Sequence, residues 1–267
     1  MAGLGTAPPS TVEPSPWGVR WCPRPAAPLR LFCLPHAGGG AGAYRLWAQR
    51  FPVDIEVVAI RLPGRETRHR ETPLDRFDRV VNGLLNGMRP WLDRPYAWFG
   101  HSMGALIAYE AGRRAAAAGL PQPVRLLVSG RVAPHVTIPD PPVHAAPIPA
   151  LLRRLRDLGG TPPEVLEDAA MLRAMLPIVR ADFAVAETYR WQPGPVAPCP
   201  LSVFGATGDR YASSRPELEE WARHTADSCV VRLFPGGHFF LHEPEQPLLA
   251  PIIGDLREVT AGAGPRR

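Results

Sequence analysis

The sequence predicts an α/β fold with a mostly parallel central sheet, helices on both faces of the sheet and a helical lid insertion. Two observations support this prediction. Short apolar runs alternate with segments of helical periodicity through most of the 267 residues, which is typical of parallel strands joined by helical crossovers. The alternation is interrupted over residues 131–198, a stretch that is too long for a crossover and whose apolar spacing is helical.

The N-terminal half supplies five predicted strands, each a short, mostly apolar run bounded by proline, glycine or polar residues. They cover residues 17–21 (an edge strand), 29–34, 55–60, 96–99 and 124–130. Apolar residues recur every three to four positions between these strands, which predicts helices. The helices cover residues 44–50, 74–92 and 105–118.

The C-terminal half begins with the insertion, whose proline-rich start is followed by amphipathic segments. These segments predict helices at residues 150–158, 164–176 and 178–189. Two further apolar strands follow at residues 201–205 and 230–234, with helices at 216–224 and 245–259. We expect the insertion to form a lid over the carboxyl edge of the sheet.

Length and composition predict a single α/β domain, since 45% of the residues are hydrophobic and 21% are charged. We expect this domain to span residues 17–260, with residues 131–198 as its lid. The first 16 residues are rich in Ala, Gly, Pro, Ser and Thr, and we expect them to be disordered. A short disordered tail is expected at residues 261–267.

The sequence contains no signal for export or membrane insertion. It has no run of about 18 apolar residues and no continuous apolar segment near its N-terminus. Its four cysteines (Cys22, Cys33, Cys199 and Cys229) do not have the spacing of a metal site or a disulfide framework. We therefore expect a cytoplasmic, monomeric protein with free thiols and no metal.

The net charge is +5, and all 30 basic residues are arginines because the chain has no lysine. A basic protein favours an acidic partner. No nucleic-acid-binding motif or compact basic stripe is present, so no nucleic acid partner is expected.

The motif Gly100-His101-Ser102-Met103-Gly104 stands between a predicted strand and a predicted helix. This context indicates a nucleophile elbow, a sharp turn that lifts the serine hydroxyl above the edge of the sheet. Side chains at the two outer glycines would collide with neighbouring backbone. The N–H of Met103, at a helix N-terminus, would stabilise developing negative charge. The alternative is a turn whose glycines serve packing only.

A serine nucleophile requires a base, and the base requires an acid that orients it. At such an elbow the chain order is serine, acid, histidine, each following a strand. Asp209 follows the strand at residues 201–205, and His238 follows the strand at residues 230–234. Both side chains should therefore reach the edge of the sheet that carries Ser102.

Other titratable residues are weaker candidates. His242 is the alternative base, although a place near the start of the final helix fits it better. His224 precedes the last strand and is expected near the opposite end of the sheet. As alternative acids, Asp182 lies in the lid and Asp227 in a turn before the last strand. The remaining histidines flank backbone turns or have no strand end to place them: His36, His69, His101, His135 and His144.

A glycine-rich loop follows the strand at residues 29–34. A phosphate-binding loop would have a lysine and a serine or threonine after its glycines, and this loop has neither. The N–H of Ala37 is the predicted second donor of an oxyanion hole, facing that of Met103. A flexible strand-to-helix connection is the alternative.

Six motifs together resemble type II thioesterases, the editing hydrolases of polyketide and non-ribosomal peptide synthesis, within the α/β-hydrolase superfamily. The resemblance covers residues 29–255. The motifs are Leu34-Pro35-His36-Ala37-Gly38-Gly39, Arg61-Leu62-Pro63-Gly64-Arg65, Gly100-His101-Ser102-Met103-Gly104, Leu176-Pro177-Ile178-Val179-Arg180-Ala181-Asp182, Glu187-Thr188-Tyr189-Arg190-Trp191 and Gly236-Gly237-His238-Phe239-Phe240.

The resemblance implies hydrolysis of aberrant or stalled acyl groups from the phosphopantetheine arm of acyl or peptidyl carrier proteins. By position it implies Ser102, Asp209 and His238 as a catalytic triad and the N–H groups of Ala37 and Met103 as oxyanion donors. It implies no cofactor beyond the arm that the substrate itself carries. The alternatives are a general serine esterase or amidase for small soluble substrates and a non-catalytic binding protein with this fold.

The amphipathic lid predicts an acyl pocket, with packing onto the core as the alternative. Its expected lining is His36, Leu151, Leu155, Met171, Met175 and Phe183. Arg153, Arg154 and Arg156 lie together on one predicted lid helix. They could border the entrance for an acidic carrier protein, or they could only solvate a helix face.

Overall fold

The computed structural model describes residues 15–243 and 247–262, and within them the chain forms a seven-stranded sheet flanked by helices. The strands are β1 (Gly18–Val19), β2 (Leu29–Leu34), β3 (Ile55–Ile60), β4 (Tyr96–His101), β5 (Arg125–Ser129), β6 (Leu201–Ala206) and β7 (Cys229–Phe234). Their spatial order is β1-β3-β2-β4-β5-β6-β7. Strand β1 is antiparallel to β3, and every other pair is parallel.

The α-helices of the described residues lie on both faces of the sheet and in the insertion after β5. They are α1 (Arg45–Arg50), α2 (Phe77–Met88), α3 (Met103–Ala115), α4 (Ile148–Leu158), α5 (Pro163–Glu167), α6 (Ala169–Thr188), α7 (Arg215–Glu219) and α8 (Leu249–Gly262). None of the helices in this part of the chain is long and apolar enough to cross a membrane.

Every residue of β2 through β6 is buried, because helices cover both faces of the sheet. Successive side chains point to opposite faces. Phe32 and its parallel partner Trp98 therefore join the core beneath α2 and α3, whereas Cys33 and its partner Phe99 join the core on the other face. This packing fixes the strand ends that carry the candidate site.

The lid insertion contains α4, α5 and α6 and has its own small apolar core. The predicted break between two helices at Pro177 is wrong, because α6 runs continuously from Ala169 to Thr188. A proline inside a helix removes one backbone hydrogen bond. Val179 and Phe183, in the turns that follow, are buried in the lid core, and this packing holds the helix together.

The other differences from the predicted boundaries are small. Ser15 is buried and its carbonyl accepts a hydrogen bond from the N–H of Gly18, so the folded part begins before the predicted residue 17. Helix α8 starts at Leu249 rather than at residue 245 and includes residues 261–262 of the predicted tail. Residues 1–14 and 263–267, where disorder was predicted, lie outside the described residues.

Candidate active site

Ser102 occupies a strained turn between β4 and α3. Its φ of 55° and ψ of −113° are unusual for a residue with a side chain. A Cβ at Gly100 would overlap the carbonyl oxygen of Gly104, and a Cβ at Gly104 would lie 2.7 Å from the carbonyl oxygen of Leu34. The N–H of Ser102 donates to the carbonyl of Ser129 at 2.8 Å. These contacts hold the serine above the edge of the sheet.

Asp209 and His238 form a buried pair at the same edge. His238 Nδ1 lies 3.0 Å from Oδ1 and 2.9 Å from Oδ2 of Asp209. His238 is 5% exposed and Asp209 is 1% exposed. Asp209 Oδ1 also accepts the N–H of Tyr211 at 2.8 Å, and the N–H of Gly208 donates to the carbonyl of Gly236 at 2.9 Å. These bonds tie together the loops after β6 and β7.

Ser102 and His238 line one cavity of about 750 Å³ between the sheet edge and the lid. Since Nδ1 of His238 faces the carboxylate of Asp209, its other ring nitrogen, Nε2, lies on the opposite side of the ring. Ala37 and Met103 also line this cavity. The arrangement therefore places a serine, an imidazole and two backbone segments around one space that a carbonyl group can enter.

The glycine-rich loop after β2 is fixed by a buried ion pair. Asp182, on α6, accepts from Arg65 Nη1 at 2.8 Å and from Arg65 Nη2 at 2.7 Å. It also accepts the N–H of Gly38 at 2.7 Å, while Arg65 Nη1 donates to the carbonyl of Gly39 at 2.7 Å. Asp182 thus binds the loop beside Ala37 rather than His238.

Two histidines beside His238 are held neutral by burial. Burial lowers the pKa of His36 to about 4, and it lowers the pKa of His101 well below its ordinary value. His101 Nδ1 lies 3.0 Å from the hydroxyl of Ser129, and its ring centroid lies 4.9 Å from that of His238. His101 is therefore a neutral neighbour of His238, and His36 is a neutral residue of the cavity wall.

The weaker candidate His224 lies outside the cavity lining. It is buried, with Nδ1 3.1 Å from the hydroxyl of Tyr109 and Nε2 2.7 Å from Nδ1 of His135. His242 stacks on Phe239, and its ring centroid is 5.9 Å from that of His36.

Four of the six predicted pocket residues line the cavity: His36, Leu155, Met175 and Phe183. The prediction is wrong for the other two. Leu151 is 0% exposed because it points into the lid's own core, one helical turn before Leu155. Met171 is 53% exposed because the first turn of α6 faces solvent.

Several polar and aromatic residues of the cavity wall were not predicted from the sequence, among them Arg131, His135, Tyr189, Trp191 and Tyr211. Position could have identified one of them. Arg131 follows the end of β5 just as Asp209 follows the end of β6, and both come to the same sheet edge. Among the described residues, no group of three or more His, Cys, Asp or Glu side chains could hold a metal ion.

A serine on a strand-to-helix turn and a His–Asp pair on two later strand ends define an α/β-hydrolase. The fold class predicted from the sequence is confirmed by solved thioesterase structures that share this architecture. Within this class, the chain belongs to the thioesterase domain family, which matches residues 29–257.

Its relatives include proteins of antibiotic biosynthesis. The chain is 40% identical over 245 residues to the gramicidin S biosynthesis protein GrsT of Aneurinibacillus migulanus, spanning 92% of this chain and 95% of that protein. It is 34% identical over 256 residues to the thioesterase PikA5 of Streptomyces venezuelae, and the match spans 96% of this chain and 90% of that protein. The solved type II thioesterase BorB, from the borrelidin biosynthetic cluster, superposes on this chain with a TM-score of 0.80 at 37% identity. The match spans 91% of this chain and 97% of BorB. The predicted resemblance to type II thioesterases is confirmed.

Proposed function

We propose that this thioesterase hydrolyses aberrant or stalled acyl groups from the phosphopantetheine arm of acyl or peptidyl carrier proteins, with Ser102, His238 and Asp209 as its catalytic triad. The observation that carries the proposal is the buried His238–Asp209 pair, which opens onto the same cavity as Ser102. The names of GrsT, PikA5 and BorB support a role in polyketide or non-ribosomal peptide synthesis.

In the first half-reaction, His238 Nε2 accepts the proton of the Ser102 hydroxyl as Oγ attacks the thioester carbonyl. The oxyanion is stabilised by the N–H groups of Ala37 and Met103, the latter at the N-terminus of α3. The C–S bond then breaks and the pantetheine sulfur takes the proton from His238. The products are the free thiol and an acyl ester of Ser102.

In the second half-reaction, His238 accepts a proton from water, whose oxygen attacks the acyl ester. Ser102 leaves and recovers its proton from His238, and the free acid departs. Asp209 accepts the Nδ1–H of His238 throughout and stabilises the imidazolium. The proposed cycle consumes one water per thioester and uses no metal or cofactor.

The cavity supports a substrate presented on a long arm. Its volume of about 750 Å³ lies in the upper part of the range for small-molecule sites, so it has room for an acyl chain with part of a pantetheine arm. We also propose that the enzyme is a cytoplasmic monomer. All four cysteines are free, as expected in a reducing compartment. Light scattering should give the mass of one chain.

The decisive experiment compares one acyl group on two carriers. Purified enzyme is given an acyl-loaded carrier protein and the p-nitrophenyl ester of the same acid. The proposal expects a much higher kcat/KM for the carrier protein and loss of both activities in Ser102→Ala. Equal kcat/KM values would indicate a general esterase. Absence of turnover together with no covalent labelling by a fluorophosphonate would indicate a binding protein.

A further inference from the structure

Arg131 stands beside the nucleophile at the end of a neighbouring strand. The N–H of Ser102 donates to the carbonyl of Ser129, and two residues later Arg131 lines the same cavity. Gly130, between them, has a φ of +61°, and a Cβ there would overlap the ring of His101. The chain therefore turns sharply at this glycine and brings Arg131 to the cavity.

The main chain on both sides of this turn is anchored. The N–H of Gly130 donates to the carbonyl of Phe204 at 2.9 Å, and the carbonyl of Arg131 accepts from Trp221 Nε1 at 2.9 Å. The position of the Arg131 backbone is thus set by β6 and by the residues after α7. Its side chain has a defined origin close to Ser102.

The guanidinium of Arg131 differs from those of the other arginines of the cavity wall. Arg154 pairs with Asp140 at 3.3 Å, and Arg190 donates to two backbone carbonyls at 2.8 Å each. Within the described part of the chain, the guanidinium of Arg131 has no ion pair or hydrogen bond. Burial lowers its pKa to about 10, so it still carries its positive charge at neutral pH.

The acidic side chains around Arg131 already have other partners. The carboxylate of Glu187 acts on the charge of Arg131, and it accepts the N–H groups of Val143 and His144 at 2.9 and 3.0 Å. It also lies 2.7 Å from Nδ1 of His144. The two tyrosines near Arg131 direct their hydroxyl groups to other carboxylates, Tyr189 to Glu110 and Tyr211 to Asp140. Arg131 is partly buried in the cavity wall, and a charged guanidinium there without an ion pair or a hydrogen bond favours an anionic ligand.

We propose that Arg131 binds a carboxylate at the far end of the acyl group, so that the enzyme selects thioesters of dicarboxylic acids over neutral acyl chains of the same length. A guanidinium forms two parallel hydrogen bonds to a carboxylate. The inference rests on the proposed thioester hydrolysis at Ser102. The other anion of the substrate, the phosphate of the arm, is bonded directly to the carrier protein and stays at its surface, away from Arg131 inside the cavity.

The test uses N-acetylcysteamine thioesters, which contain no phosphate. Glutaryl and pentanoyl thioesters have the same number of carbons and differ in a terminal carboxylate. The wild-type enzyme should show a higher kcat/KM for the glutaryl thioester. Arg131→Met should lower that value about tenfold or more and leave the pentanoyl value unchanged or raised. The loss should be mainly in KM, because the carboxylate lies away from the reacting carbon.

Two further variants make the result specific. Arg131→Lys keeps the charge and should retain part of the glutaryl preference, and it replaces Arg131→Met if that variant does not fold. Arg173→Met removes an exposed arginine of α6 and should leave kcat/KM unchanged for both substrates. Circular dichroism and the melting temperature check folding in each case.

The inference is overturned if Arg131→Met lowers kcat/KM equally for both substrates, or if the wild-type enzyme shows no preference for the glutaryl thioester. It is also overturned if the variant is impaired only on 4′-phosphopantetheine thioesters, which would assign Arg131 to the phosphate. If the wild-type enzyme hydrolyses neither thioester on any carrier, the proposed function itself fails, which is a different result.

Discussion

The backbone N–H of Gly38 donates a hydrogen bond of 2.7 Å to Oδ2 of Asp182, and this bond joins the glycine-rich loop to the lid. Asp182 lies on α6, whereas Gly38 lies next to Ala37, the proposed oxyanion donor. Arg65 completes the contact through both oxygens of Asp182 and the carbonyl of Gly39. The position of the lid helix therefore influences the position of the proposed oxyanion hole.

Removing Asp182 should damage stability and catalysis together. Asp182→Ala leaves Arg65 buried without its partner, and breaking a buried ion pair in this way costs roughly 3–5 kcal/mol of unfolding free energy. Asp182→Asn keeps one acceptor for Gly38 but loses the charge, so we expect a smaller loss of stability and a fall in kcat of about tenfold or more as the loop shifts. Urea unfolding and steady-state kinetics measure the two effects.

The matched control is Asp157→Asn, which neutralises an exposed carboxylate at the end of α4. It should change neither quantity. If Asp182→Asn kept the wild-type kcat while losing stability, the ion pair would serve folding alone, and the proposed link between lid and oxyanion hole would be wrong.

Two replacements of Ser102 should distinguish its role in turnover from the backbone strain at this position. Ser102→Ala and Ser102→Gly should both lose essentially all turnover, since neither supplies a nucleophile. Because the φ of residue 102 is +55°, glycine suits this turn better than alanine. We expect Ser102→Gly to be more stable than Ser102→Ala by about 1 kcal/mol in urea unfolding. Near-wild-type hydrolysis in either variant would contradict the proposed role of Ser102.

Asp209→Asn should lower kcat by about 10⁴-fold without unfolding the protein. Oδ1 of Asp209 accepts the N–H of Tyr211, and an asparagine that keeps this bond turns its NH₂ group toward His238 Nδ1. The imidazole then carries its hydrogen on Nε2, where it has no lone pair to accept the proton of Ser102. Single-turnover kinetics and circular dichroism test this prediction. A comparable loss in Asp182→Asn, with none in Asp209→Asn, would reverse the assignment of the acid.

The sequence predicted the strands well, and it predicted that Ser102, Asp209 and His238 meet at one edge of the sheet, because those signals are local. Strands β2 and β3 have the predicted bounds, since apolar runs end abruptly at proline or polar residues. Helix α6 was not predicted as a single helix, because its continuity through Pro177 depends on packing inside the lid. The partnership of Arg65 and Asp182 could not be predicted, because 117 positions separate them and neither belongs to a strand end.

The orientation of side chains within the lid was predicted less well than its helices. Leu151 and Leu155 are one helical turn apart and both buried, yet only Leu155 reaches the cavity. Helical spacing identifies a buried face but does not distinguish a helix packed on a neighbour from one that lines a cavity. The same limit applies to the lid arginines, whose shared helix did not reveal that Arg154 pairs with Asp140.

Two exposed arginines of α4, Arg153 and Arg156, provide a test of carrier-protein docking. Carrier proteins that present a phosphopantetheine arm are expected to be acidic around it, and charges at an interface rim mainly change the rate of encounter. At about 0.15 M salt the screening length is ~8 Å, so such steering weakens as salt rises. We therefore expect kcat/KM for an acyl carrier protein to fall with added salt, whereas hydrolysis of an uncharged acyl thioester stays nearly constant.

Changing both arginines to glutamate should lower kcat/KM for the carrier protein several-fold and leave the small thioester unaffected. Arg50→Glu/Arg79→Glu is the control, because these arginines are exposed on α1 and α2, on opposite faces of the sheet, and their reversal gives the same net charge. If both double variants lower kcat/KM for the carrier protein by the same factor, the effect comes from net charge alone. If neither changes the carrier-protein kinetics, Arg153 and Arg156 only solvate the face of α4, and the arm must reach Ser102 past another part of the lid.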